Sequence, residues 1–184
     1  MEIKINVKQI LKGLYVLSWI IFIGLCIEAG GFIFNSLFAR FINPIAANNF
    51  WNGIDLSNLY EFDSGYFFSL TIQMSIVAIL KAIIFYLILK IVHDKKVTMS
   101  NPFNKELGQF IFNCSYLVFG IAIFSFWGAK NIAFFRKQGI EIPSLESLHL
   151  SGAEVWLFMG IVLFVIAQVF KRGIEIQSEN ELTI

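Results

Sequence analysis

Two side chains stand where charge is expensive. Glu28 and Lys81 are the ionisable residues that fall deep inside long apolar runs of this chain. An ammonium at the centre of a bilayer costs roughly 2.5–3.5 kcal/mol on insertion scales, so such a group needs a partner, a water-filled cavity or a functional use. The two runs are consecutive and therefore antiparallel. Along 1.5 Å per residue the two groups differ in depth by about 6 Å, which a lysine stem covers. The expectation is an intramembrane ion pair, Glu28–Lys81. Three roles stay open for it: it holds two helices in register, it handles a proton or ligand, or the two groups are hydrated separately. The other reactive residues are scattered. His93 and His149 fall on opposite sides of the expected topology, so they cannot share a metal, and both are expected at membrane interfaces. Cys26 and Cys114 lie in different apolar runs, with neither metal-ligand spacing nor the pattern of a disulfide framework. HExxH, GxSxG, Walker A and GxGxxG patterns are missing. Acidic residues do not cluster on adjacent turns of any run. The chain is therefore expected to be non-enzymatic, with no catalytic, cofactor or metal site.

The elements that must position Glu28 and Lys81 follow from composition. Of 184 residues, 57% are hydrophobic and 15% charged, against about 25% charged in soluble domains. Mean hydropathy is +0.72. The stretch 67–92 is apolar for about 26 residues, roughly 39 Å as a helix, enough to cross a hydrocarbon core of about 30 Å. Three more runs, about 10–34, 107–129 and 154–170, read as spans, the last at the short limit. The reading is all-α: a four-helix transmembrane bundle forming a single membrane domain, with a long first extracytoplasmic loop.

Small and polar residues mark the faces that helices turn to one another in lipid. Gly24, Glu28, Gly31 and Asn35 form such a stripe on the first span; Asn113, Leu117, Gly120 and Phe124 form one on the third; Gly160, Phe164 and Gln168 form one on the fourth. The connection 36–66 carries Asn43-Pro44, Asn52-Gly53 and Asp63-Ser64-Gly65, all turn signals. Its Phe50, Trp51, Tyr60 and Tyr66 suit an aromatic belt at headgroup level, and Ile54, Leu56 and Leu59 suggest a short surface helix. Asn101 or Asn104 can cap the third span, with Pro102 in its first turn.

Orientation follows the lysines and arginines. Lys4, Lys8, Lys12, Lys95, Lys96, Lys105, Lys171 and Arg172 share one side; Arg40, Lys130, Arg136 and Lys137 share the other. Both termini are expected in the cytoplasm, in the inner membrane of a bacterial cell. The lysine-flanked first run lacks an A-x-A-like cleavage site and is expected to be a retained span rather than a signal peptide. After Lys171-Arg172 a tail, 174–184, mixes Glu175, Glu179 and Glu181 with spaced aliphatics and ends Leu182-Thr183-Ile184.

Asn101-Pro102-Phe103 before the third span, together with Arg172-Gly173 and the acidic tail ending in Leu182-Thr183-Ile184, resembles the bacterial membrane family called domain of unknown function 2975. The four-span layout is similar as well. The long first loop and Lys81 are not matched to that family. The resemblance implies a context: members are often encoded beside a small helix-turn-helix DNA-binding regulator. It thus implies a membrane partner or regulator of such a protein, with no direct contact to nucleic acid. The loop from His93 to Glu106 and the tail would dock it. Phe103, Leu182 and Ile184 would be apolar anchors, and Glu175, Glu179 and Glu181 would face a basic partner, since a DNA-contacting surface must be positive. The alternative expectation is a small transporter or channel-like component that uses the Glu28/Lys81 pair.

Overall fold

In a computed structural model, residues 7–94 and 104–181 are described. They form five α-helices: α1 (Val7–Phe41), α2 (Ser57–Phe62), α3 (Ser64–His93), α4 (Lys105–Lys137) and α5 (Ala153–Glu181), with a 3-10 turn, Pro44–Asn49, after α1. Among the described residues there is no strand, and α1, α3, α4 and α5 are each long and apolar enough to cross a membrane. Their outer surfaces suit lipid: Ile20 is 65% exposed, Ile27 60% and Phe158 64%. This is the build of a multi-pass membrane protein. The expected four-helix arrangement is present.

The helices run past the spans expected from hydropathy. α1 has 35 residues and α4 has 33, roughly 52 and 50 Å of helix. Capping sets their ends. Asp63 Oδ1 accepts from the amides of Gly65 and Tyr66 at 2.7 and 2.8 Å, opening α3. Asn104 Oδ1 accepts from Leu107 N at 2.7 Å, opening α4. Asn104 is thus the cap, while Asn101 and Pro102 lie outside the described residues. α4 closes on Gly139, whose φ of +79° permits bonds from Gly139 N to Arg136 O and from Ile140 N to Phe135 O. That is a Schellman ending, which requires a left-handed residue at this place.

α1 packs on α3, α3 on α4 and α4 on α5, whereas α1 and α5 share no comparable contact among the described residues. Small residues set the close approaches. Leu80 of α3 lies against Gly120, and Phe119 of α4 lies against Gly160. A β-carbon on Gly160 would stand 2.9 Å from the Phe119 ring. Gly160→Val is therefore expected to lower stability by about 1–3 kcal/mol, read as an earlier thermal midpoint of the detergent-solubilised protein. Gln168, expected on the same face, is instead exposed, and Ala167 is buried in its place.

One ring pair supplies a depth scale. Tyr15 of α1 stacks on His93 of α3 at 6.1 Å. Twenty residues along each helix from that pair are Asn35 and Gln73, about 30 Å away, one hydrocarbon thickness. From about two turns short of that level outward, on the side that carries both long connections (the loop side), the chain builds a packed cap. Phe32, Ala47, Phe50, Leu56, Leu59, Phe67, Phe135, Leu148 and Leu150 form its core. Asn52 and Gly53, both at positive φ, make the tight turn that bonds Ile54 N to Trp51 O, as an Asn-Gly pair favours.

The expected aromatic belt and surface helix are corrected here. Phe50 is fully buried, Tyr60 meets the Phe67 ring at 5.1 Å, and Trp51 lies on Gly31 and Phe32. Tyr66 is the member of the four that remains largely exposed. The helix of this connection is Ser57–Phe62, and Leu56 and Leu59 turn inward. A connection of this length buries more apolar area by folding on the helix ends than by lying flat on headgroups.

Asp55 precedes α2. Its Oδ1 accepts from the Ser57 hydroxyl at 2.6 Å and the Ser57 amide at 2.8 Å, and these bonds hold its carboxyl below the usual carboxylate range. A depressed folded-state value stabilises above the unfolded value, about 3.9, and that stabilisation fades as pH falls through the folded value. Solvent screening keeps it small. Asp55→Asn is expected to melt slightly earlier than wild type at neutral pH, and the two curves should converge in acid.

Candidate functional site

The polar residues inside the span region gather at one depth. On the Tyr15–His93 scale Glu28 stands about 20 Å and Lys81 about 18 Å toward the loop side. Both therefore stand at nearly the same level, with an axial offset of about 2 Å. The structure brings them to the same place but inserts a third residue. His149 Nδ1 lies 2.9 Å from Glu28 Oε1. Lys81 Nζ donates to the His149 carbonyl at 3.3 Å and lies 5.8 Å from the centre of the Trp156 ring. No direct Glu28–Lys81 bridge is formed among the described residues. In place of the expected direct pair, His149 stands between the two groups, its ring against Glu28 and its backbone carbonyl against Lys81.

His149 is the correction. It was expected at an interface, as any loop histidine would be. Instead the segment 138–152 turns back from the end of α4 and reaches into the bundle. Leu150 covers Gly128 of α4, and Leu148 and Leu150 are fully buried. Irregular backbone at this depth is tolerated only where protein covers it, and these two leucines provide the cover. Between them His149 takes φ +57°, a left-handed conformation uncommon outside glycine. Its ring stands edge-on to Phe32 at 5.8 Å and is about 38% exposed. α5 then starts at Ala153 and places Trp156 beside Lys81. The available sequence signal was the aliphatic spacing Ile142, Leu145, Leu148, Leu150 in an otherwise polar connection, which marks a segment that packs.

The Glu28–His149 contact has an unusual quality. Oε1 of Glu28 is buried and has no aligned hydrogen-bond donor, although the imidazole nitrogen is within contact distance. A second polar group lies at the loop-side membrane edge: Gln73 is buried and its Oε1 accepts from Asn131 Nδ2 at 3.3 Å. Among the described residues no three histidine, cysteine or acidic side chains gather as a metal ion needs.

On the termini side, α5 continues without a break past Lys171-Arg172 to Glu181. Ile174 faces Gly108 of α4, where an added β-carbon would stand 3.3 Å from its Cδ1, and Ile176 is 46% exposed. Glu175 Oε2 accepts from Arg172 Nη1 at 3.1 Å, and Glu179 is exposed. Glu181 ends the helix. Phe103, Leu182 and Ile184, named above as apolar anchors, lie outside the described residues, as does most of the loop from His93 to Glu106. A cleft of about 340 Å³ between α3 and α4 opens here, lined by Lys90, Asp94, Lys105 and Glu106 among others.

The family described as protein of unknown function, DUF2975, matches over residues 51–184. Lys81, His149 and Trp156 fall within the match, whereas α1 with Glu28 precedes it. No curated protein and no solved structure matches the chain.

Proposed function

Because the chain belongs to the DUF2975 family of proteins of unknown function, we propose a role from its own geometry: a non-enzymatic membrane protein that holds a soluble partner at the end of α5. Both termini lie in the cytoplasm of a bacterial cell in this reading, as the lysine and arginine distribution favours. The observation that carries it is the helical projection of α5. From Trp156, beside Lys81, one unbroken helix runs through the membrane and past Lys171-Arg172 to Glu181. Its last turns are not a frayed tail. They are anchored through Ile174 and present Glu175, Glu179 and Ile176 outward. An acidic helix with an exposed aliphatic residue suits a basic, partly apolar surface. A small helix-turn-helix regulator has such a surface, since its DNA-contacting face is positive. The resemblance drawn from Asn101-Pro102-Phe103 and the Leu182-Thr183-Ile184 end points to the same class.

Deleting residues 174–184 is expected to abolish retention of a small helix-turn-helix regulator on membranes that carry the truncated protein in normal amounts. Retention unchanged by the deletion would overturn the reading. A second reading, a small transporter or channel-like component, is favoured by the irregular segment that reaches Glu28 and Lys81 at membrane depth. It predicts that Lys81→Met abolishes flux while leaving regulator retention intact.

A further inference from the structure

We propose that Glu28 is an exchangeable contact: it pairs with His149 while the imidazole is protonated and with Lys81 once the imidazole is neutral, and the exchange frees the segment 138–152 from α1. Four observations converge on this. First, His149 ties the segment down twice, through its ring to Glu28 on α1 and through its carbonyl to Lys81 on α3. Among the described residues, α1 and α5 have no comparable packing of their own to hold them together. Second, the Nδ1–Oε1 contact at 2.9 Å lacks the alignment of a hydrogen bond. It is strong when the ring carries charge and weak when it does not. Histidine is the side chain that changes charge between about pH 5 and 8.

Third, a replacement cation is in place. Lys81 stands at nearly the level of Glu28, its present bond to the His149 carbonyl is long at 3.3 Å, and its stem is flexible. Fourth, His149 holds a left-handed backbone at φ +57°. Undocking relaxes that conformation, so the released state is not opposed by backbone preference. Among the described residues, the groups facing the contact are these. α1 brings Glu28 and the Phe32 ring, α3 brings Lys81, and α5 brings the Trp156 indole, while Glu154 in its first turn is exposed. α4 brings Gly128 beneath Leu150. The segment's own Glu146 accepts from the His149 amide through its backbone carbonyl. The inference stands apart from the docking reading, because it concerns the loop side.

The test is a distance measured between two spin labels in lipid nanodiscs. One label is on the native Cys26, exposed on α1, and the other on Glu141→Cys in the segment, with the buried Cys114 replaced by serine. At about pH 5 a single distance is expected; at about pH 8 a second, longer population appears. His149→Gln, which cannot titrate, and Glu28→Gln, which offers no carboxylate, should each give one distribution at both pH values. A wild-type distribution that does not change with pH would overturn the proposal. So would a shift of equal size in His149→Gln.

Discussion

Phe50→Ala is expected to cost about 4 kcal/mol, the range for deleting a buried aromatic side chain and leaving a cavity. Phe50 is fully buried and joins three elements. Its ring stacks on Phe32 of α1 at 6.0 Å and meets Phe67 of α3 edge-on at 5.8 Å, and it is carried by the connection between them. The cap core around it, with Leu56, Leu59 and Leu148, has no lipid to fill the vacancy. Chemical unfolding of the purified protein should show the loss. Protease cleavage within 42–63 should rise, while α3 and α4 stay protected by detergent or lipid. If Phe50 were an interfacial belt residue, as its neighbours in sequence suggest, the same change would leave stability and cleavage almost unaltered.

Gly31→Ala is the second large effect. The Trp51 ring lies against Gly31, and a methyl group there would overlap its Cζ3, Cε3 and Cη2 atoms. Trp51 cannot retreat easily, because it also meets the buried Phe32 edge-on at 6.1 Å. Overpacking of this kind costs about 1–3 kcal/mol, occasionally more. Gly31→Ala should therefore lower stability by about 3 kcal/mol and raise the exposure of Trp51, seen as a red shift in its emission. Trp51→Leu is expected to be destabilising alone, but it should remove most of the Gly31→Ala penalty when the two are combined. A coupling energy near zero in that double-mutant cycle would refute the contact. The change lies one turn from Glu28, so the two effects are best separated by measuring Gly24→Ala as well. Gly24 has open space around its α-carbon and should tolerate the methyl.

The spans were legible because the bilayer imposes them. A hydrocarbon slab of about 30 Å accepts only long stretches whose backbone bonds internally, so runs such as 67–92 had one structural solution. Caps and turns were legible for a similar local reason. Asp63, Asn104 and Asn52-Gly53 act within three residues of themselves, and that information lies entirely in the neighbouring sequence. Glu28 and Lys81 could be singled out because charge in a span is costly wherever the partner lies.

Their actual partner was not legible. His149 follows Glu28 by more than a hundred residues, and nothing local distinguishes it from a histidine at a membrane surface. Two buried leucines on either side, a left-handed backbone and the return of 138–152 into the bundle decide its place. Phe50, Trp51 and Tyr60 failed for the same reason. An aromatic residue satisfies its apolar area equally in a headgroup layer or a packed cap, and composition is blind to the difference. Sequence by itself determined how many helices cross and which groups need shelter, since those depend on solvent and on near neighbours. Tertiary structure alone decided who shelters whom, since that depends on which distant segments win the remaining apolar surface.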